Sequence, residues 1–294
     1  MDNLRDTPVV EDENISRGAW GAVASCRLAL LLAVVLLGLA LLLTVEWPSY
    51  TLHLIALQSP LTATISLVWP MIGLLTAAMA LGAATIFHQH PAMRGQPVLN
   101  LVALWPLPTL TVSLAALLLQ RTASGALWAG GIATTGLLLY ALFRLEYRLM
   151  DRPAGESPWA EWSLHVLAYL LALTYFVLIY RVRLRTLLSA PAIMTVGGLL
   201  AMRLLHSVVS VPSKTGWRRG SMCALAIGLT LGETTWALNY WPGRSIAGGV
   251  LLLLVFYVFI GLARRGLEGG LPRSALLEYG VVALLGLGLL IRFG

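Results

Sequence analysis

The sequence predicts an all-α protein, a polytopic transmembrane helix bundle of about nine spans, and three observations carry that prediction. Of the 294 residues 58% are hydrophobic and only 11% charged, with a mean hydropathy of +0.82, which leaves too little polar surface to cover a water-soluble globule. Apolar runs of about 20 residues, the length that crosses roughly 30 Å of hydrocarbon, recur along the chain. The charged residues fall mostly between those runs or at their ends, and nineteen of the twenty Lys and Arg residues are arginine. A formal charge of +7 would suit nucleic acid, but this distribution reads as anchoring and orientation of spans, so no nucleic-acid partner is expected.

Residues 1–24 are polar and acid-rich, with Glu11, Asp12 and Glu13 as the densest charge cluster, and read as a mobile tail. Residues 25–294 read as one transmembrane domain. Its first span, near 26–46, is too long for a cleaved signal core and lacks a short basic leader, so it is expected to be retained. Further spans are placed near 61–86, 98–120, 126–149, 162–180, 188–210, 221–240, 245–263 and 275–292; the last is short enough to lie in the interface instead. Pro70, Pro106 and Pro108 fall inside the second and third spans and predict kinks there. The connection Pro48–Pro60 is unusually apolar and is expected to rest on the membrane surface or plug one mouth of the bundle. The remaining connections are too short to form a soluble catalytic module.

Basic residues accumulate on the cytoplasmic side of membrane proteins. With the N-terminus inside, that side receives Arg5, Arg17, Arg27, Arg94, Arg144, Arg148, Arg152, Lys214, Arg218, Arg219, Arg264, Arg265 and Arg273; the outer side receives only Arg121, Arg181, Arg183, Arg185, Arg244 and Arg292. Thirteen against six predicts the N-terminus in the cytoplasm and, for nine spans, the C-terminus outside. The cluster at 181–185 is the dissenting element.

The seventh span holds the most distinctive pattern. Ala224, Gly228 and Gly232 recur every four residues, a small-residue stripe suited to close helix packing. Beside it stand Glu233, Trp236 and Tyr240 on one face, with Asn239 adjacent. An ionised carboxylate in hydrocarbon costs about 2.5–3.5 kcal/mol on insertion scales, so Glu233 needs a proton, a partner or a polar cavity. In the sixth span Arg203, His206, Ser207 and Ser210 fall at i, i+3, i+4 and i+7 on one polar face. Spans six and seven should be antiparallel neighbours, and a Glu233–Arg203 pair between them is the expected arrangement, structural as readily as functional. His206 alone reads as an interior histidine.

A third polar group closes the fourth span: Arg144, Glu146, Tyr147 and Arg148, with Glu278 starting the ninth span at the same level. Arginines there suit the helix dipole and the anionic lipid heads of the inner leaflet. His88 and His90, two apart, share no helix face, and no metal or cofactor is implied. Zinc-protease, phosphate-loop and nucleophile-elbow motifs are missing from the sequence. Three functional readings follow: a non-catalytic membrane subunit or scaffold, which requires least; a solute or proton-coupled transporter using Glu233 and Arg203; and an intramembrane lipid-modifying enzyme. The topology is checked by tagging each terminus and probing protection in intact cells; N-terminus inside and C-terminus outside is the expected result.

Overall fold

The computed structural model of the chain describes residues 8–56, 59–89, 103–122, 125–151, 158–182, 186–206, 214–240, 245–270 and 272–293. Among them are nine helices and one β-hairpin. The helices are α1 (Pro8–Thr44), α2 (Val68–His88), α3 (Pro106–Leu119), α4 (Gly125–Asp151), α5 (Pro158–Val182), α6 (Thr186–His206), α7 (Lys214–Leu238), α8 (Ser245–Glu268) and α9 (Arg273–Phe293). Each overlaps one predicted apolar segment, so the all-α helix bundle stands. Six helices (α1, α2, α4, α5, α6 and α8) contain stretches long and apolar enough to cross a membrane. α3, at 14 residues, is shorter than a span requires.

α1 starts at Pro8, inside the stretch expected to be a tail. Proline is favoured in a first turn, where its missing N–H is not needed. The connection after α1 is the clearest departure from expectation: it is a hairpin of β1 (Ser49–Ala56) and β2 (Ser59–Ser66), and the second apolar helix starts at Val68 rather than near 61. Its antiparallel register alternates apolar pairs, Leu52 with Ala63 and Leu54 with Leu61, with polar ones, Thr51 with Thr64 and His53 with Thr62. That period of two suits a strand pair, whereas the apolar content alone had suggested the beginning of a span.

The three prolines read as kinks are instead helix starts. Pro70 lies in the first turn of α2, and Pro106 and Pro108 lie in the first turn of α3, where no intrahelical donor is lost. α3 is the centre of the bundle. Ten of its fourteen residues are buried, so it is apolar all round rather than on one stripe. Leu107, Leu110 and Leu114 face a core built with α5, α6, α7 and α8, while Val112 and Ala116 join a second core formed with α1, α2 and α4. Its buried Thr109 and Thr111 hydroxyls donate to the carbonyls of Trp105 and Leu107, at 2.6 and 2.8 Å, and so carry no unsatisfied polar atom into either core.

α6 and α7 make the closest pairing, through the predicted small-residue stripe. A Cβ on Gly228 would stand 2.8 Å from the Met194 carbonyl oxygen and 3.2 Å from Gly198 Cα, so only glycine admits this approach of two backbones. Side-chain hydrogen bonds also join neighbouring helices, α5 to α3 and to α7, and the end of α7 to α6. Tyr175 donates to the Leu110 carbonyl at 2.8 Å and also bonds Ser113, Tyr180 donates to the Leu238 carbonyl at 2.9 Å, and Asn239 donates to Ser189 Oγ at 3.3 Å. Gly228→Ala should therefore lower stability by about 1–3 kcal/mol through overpacking. Gly130→Ala on α4, which meets no atom within 4 Å, should raise it by up to about 1 kcal/mol; thermal unfolding of both variants in detergent checks the contrast.

Candidate functional site

The deepest charges in the bundle form one closed pair, and its members are not those expected. Arg203 on α6 bonds Glu146 on α4: Nε donates to Oε1 at 3.0 Å, and Nη2 donates to Oε1 and Oε2, both at 2.8 Å. Both side chains are buried, 8% and 1% exposed. This side-on, bidentate geometry uses the planar fork that distinguishes arginine from lysine. The hollow beside it, lined by Leu107, Leu149, Glu161, Leu164, His165 and Leu204, holds about 20 Å³, room for about one water.

The Glu233–Arg203 pair between α6 and α7 is thereby corrected. Arg203 turns from α7 toward α4, and Glu233 is exposed on the outer surface of α7. The physical reason is the small-residue stripe: Gly228 and Gly232 must face α6 for the backbones to meet, which carries the neighbouring Glu233 out of that interface. Trp236 and Tyr240 share its face, as their spacing predicts, and their rings meet edge to face at 5.6 Å. His206 is half-buried in a crevice of about 10 Å³ with Met202, Trp217 and Ser221. Asn239 reaches Ser189 and not Glu233. Ser207 and Ser210 lie outside the described residues.

The predicted cluster at the end of α4 also divides. Arg144 and Arg148, one turn apart, are exposed, with the Arg144 guanidinium 5.7 Å from the Tyr140 ring centroid. Glu146 lies on the opposite side of the helix and enters the core. Tyr147 packs against the α1–α2–α3 core, and Glu278 is exposed on α9.

Sequence reasoning missed a cleft of about 470 Å³ bounded by α5, α8 and α9, with Leu204 of α6 at its base. Glu161, His165, Tyr169, Tyr257, Arg264 and Tyr279 supply its polar and aromatic walls. His165 Nδ1–H donates to the Glu161 carbonyl at 2.7 Å, and Nε2 accepts from Arg264 Nη1 at 3.2 Å; these partners assign a neutral imidazole. Arg264 Nε donates a longer bond, 3.4 Å, to Glu268. The tyrosine rings form a row, Tyr169 to Tyr257 at 5.9 Å and Tyr257 to Tyr279 at 6.1 Å. The only local sequence signal was Glu161 and His165 at i and i+4. Their meeting with residues about 100 positions later is tertiary. Among the described residues no three His, Cys, Asp or Glu side chains converge as a metal set.

Residues 47–293 match a family described as a protein of unknown function, DUF5656, and this match covers most of the chain, so the chain belongs to that family. It runs from the hairpin through α9, and so takes in the ion pair, the α7 face and the cleft. Neither a curated protein nor a solved structure matches the chain.

Breaking a buried ion pair from one side strands the surviving charge, at a cost of about 3–5 kcal/mol. Glu146→Ala and Arg203→Ala should each lower stability on that scale, and the double variant should lose clearly less than the sum. Glu233→Ala should combine additively with Arg203→Ala; thermal unfolding of the full set in detergent measures both couplings.

Proposed function

We propose that this member of the family is a non-catalytic, multi-pass subunit of a larger membrane assembly, and that the Glu233 face of α7 receives a transmembrane helix of a partner. The single observation carrying this reading is a carboxylate exposed on the outside of the bundle, on a face of α7 otherwise made of apolar and aromatic side chains. Gly232 packs on Met194 and Ala190 of α6. Glu233, the next residue, is therefore level with the Ala190–Met194 turn of α6, within its apolar stretch Leu188–His206. Glu233 has no hydrogen-bond or ion-pair partner among the described residues. Around it, Met222, Leu225, Leu229, Trp236 and Tyr240 continue the exposed face at helical spacing, the pattern by which one helix seats along another.

Charge decides the occupant. A symmetric contact with a second copy would set Glu233 against Glu233, whereas a helix bearing one inward-facing arginine or lysine at this depth satisfies the carboxylate. The closed Glu146–Arg203 pair supports a structural role over transport or acid–base chemistry, because both charges are already committed to each other and little space for water adjoins them. Within this reading the N-terminus is cytoplasmic, and exposed Arg144 and Arg148 meet the anionic lipids of the inner leaflet.

The test uses a synthetic transmembrane Leu/Ala peptide with one arginine about one helical turn from an end, and a control peptide with leucine there. Association with the full-length protein is read by fluorescence transfer in phosphatidylcholine vesicles. The arginine peptide should bind about tenfold more tightly than its control, and Glu233→Leu should remove the difference without loss of thermal stability. Equal binding of the two peptides by the wild type, or a self-association that Glu233→Leu abolishes, would overturn the assignment.

A further inference from the structure

We infer that the cleft between α5, α8 and α9 binds the head of a zwitterionic amphiphile carrying a phosphate and a primary ammonium, of the phosphatidylethanolamine kind. This site is separate from the α7 face and does not depend on it. Its volume, about 470 Å³, falls in the range of small-molecule sites. The walls hold more hydrogen-bonding capacity than the protein uses. Arg264 engages His165 and, weakly, Glu268, which leaves guanidinium N–H groups free among its five. The hydroxyls of Tyr169, Tyr257 and Tyr279 have no hydrogen-bond partner among the described residues. Glu161 uses its backbone carbonyl for His165, and its carboxylate has no ion-pair partner among the described residues.

The two full charges lining the cleft, Arg264 and Glu161, have opposite sign, and the imidazole between them is neutral. A purely anionic head would satisfy the donors and leave Glu161 opposed by like charge. A phosphate on Arg264 and the phenols, with an ammonium toward Glu161 and the aromatic row, satisfies both ends. A primary ammonium is preferred over a quaternary one, because it adds donated hydrogen bonds to the charge attraction of the carboxylate. Val166, Leu204 and Ile260 supply an apolar lining beside these polar groups. Exposed Trp159 and Trp162 stand in the first two turns of α5, the residues favoured where a span meets the lipid heads.

Thermal unfolding of the full-length protein in detergent tests this with four probes: phosphatidylethanolamine, phosphatidylcholine and phosphatidylglycerol of identical acyl chains, and free phosphoethanolamine. At saturation phosphatidylethanolamine should raise the midpoint by about 5 °C, with clearly smaller shifts from the other two lipids. A shift from phosphoethanolamine equal to that of the lipid would assign the same head chemistry to a soluble ligand; a smaller one assigns it to lipid. Glu161→Gln and Arg264→Gln, both at partly exposed positions, should leave the unliganded midpoint within about 1 °C and abolish the preference for phosphatidylethanolamine. An equal or larger shift from phosphatidylglycerol in the wild type, no shift from either ethanolamine probe, or an unchanged preference in Glu161→Gln would overturn the inference.

Discussion

Two opposite charges enclosed in a low-dielectric bundle cannot be separated cheaply, and Glu146 and Arg203 hold α4 and α6 in register for that reason. The two helices are not close packing neighbours, since α3 packs against each of them. Only a long side chain spans such a gap, and arginine does so with a planar fork that takes both carboxylate oxygens at once. The pair closes beside Leu107 in the first turn of α3. It therefore ties together the helices flanking the central one.

Depth and direction give identical residue types different work. Glu146 is enclosed and fully engaged by a guanidinium, so it stabilises the bundle only while its partner remains. Glu233 lies on an outward face of α7, with no partner among the described residues. Glu161 stands near a helix start, on the wall of an open cleft, where water or a ligand can reach it. The same ordering applies to arginine, from Arg203 in the core, through Arg264 in the cleft wall, to Arg144 and Arg148 on the exposed surface.

The small residues distribute these roles. Gly228 and Gly232 commit one face of α7 to α6, and helical geometry then places Glu233, Trp236 and Tyr240 outward. The short α3 acts in a complementary way: with apolar residues on every side it belongs to both cores and packs against both α4 and α6.

The class of the protein, the positions of its helical segments and the packing role of the Ala224–Gly232 stripe were legible in the sequence, because hydrophobicity and i, i+4 spacing are local properties. The shared face of Glu233, Trp236 and Tyr240 was legible for the same reason. Tertiary structure alone decided that Arg203 meets Glu146, 57 positions away, because sequence adjacency favours consecutive helices and says nothing of a third helix placed between two others. It also decided the cleft, where Glu161 and His165 meet Arg264 and Tyr279 from helices distant in the chain. The hairpin after α1 lay between these cases: its alternation was present in the sequence, but apolar content of that length fits the start of a span as well, and the cross-strand partners that select a strand are not local. Which residues share a helix face follows from the period of the helix, whereas which faces meet follows from how all the helices pack at once.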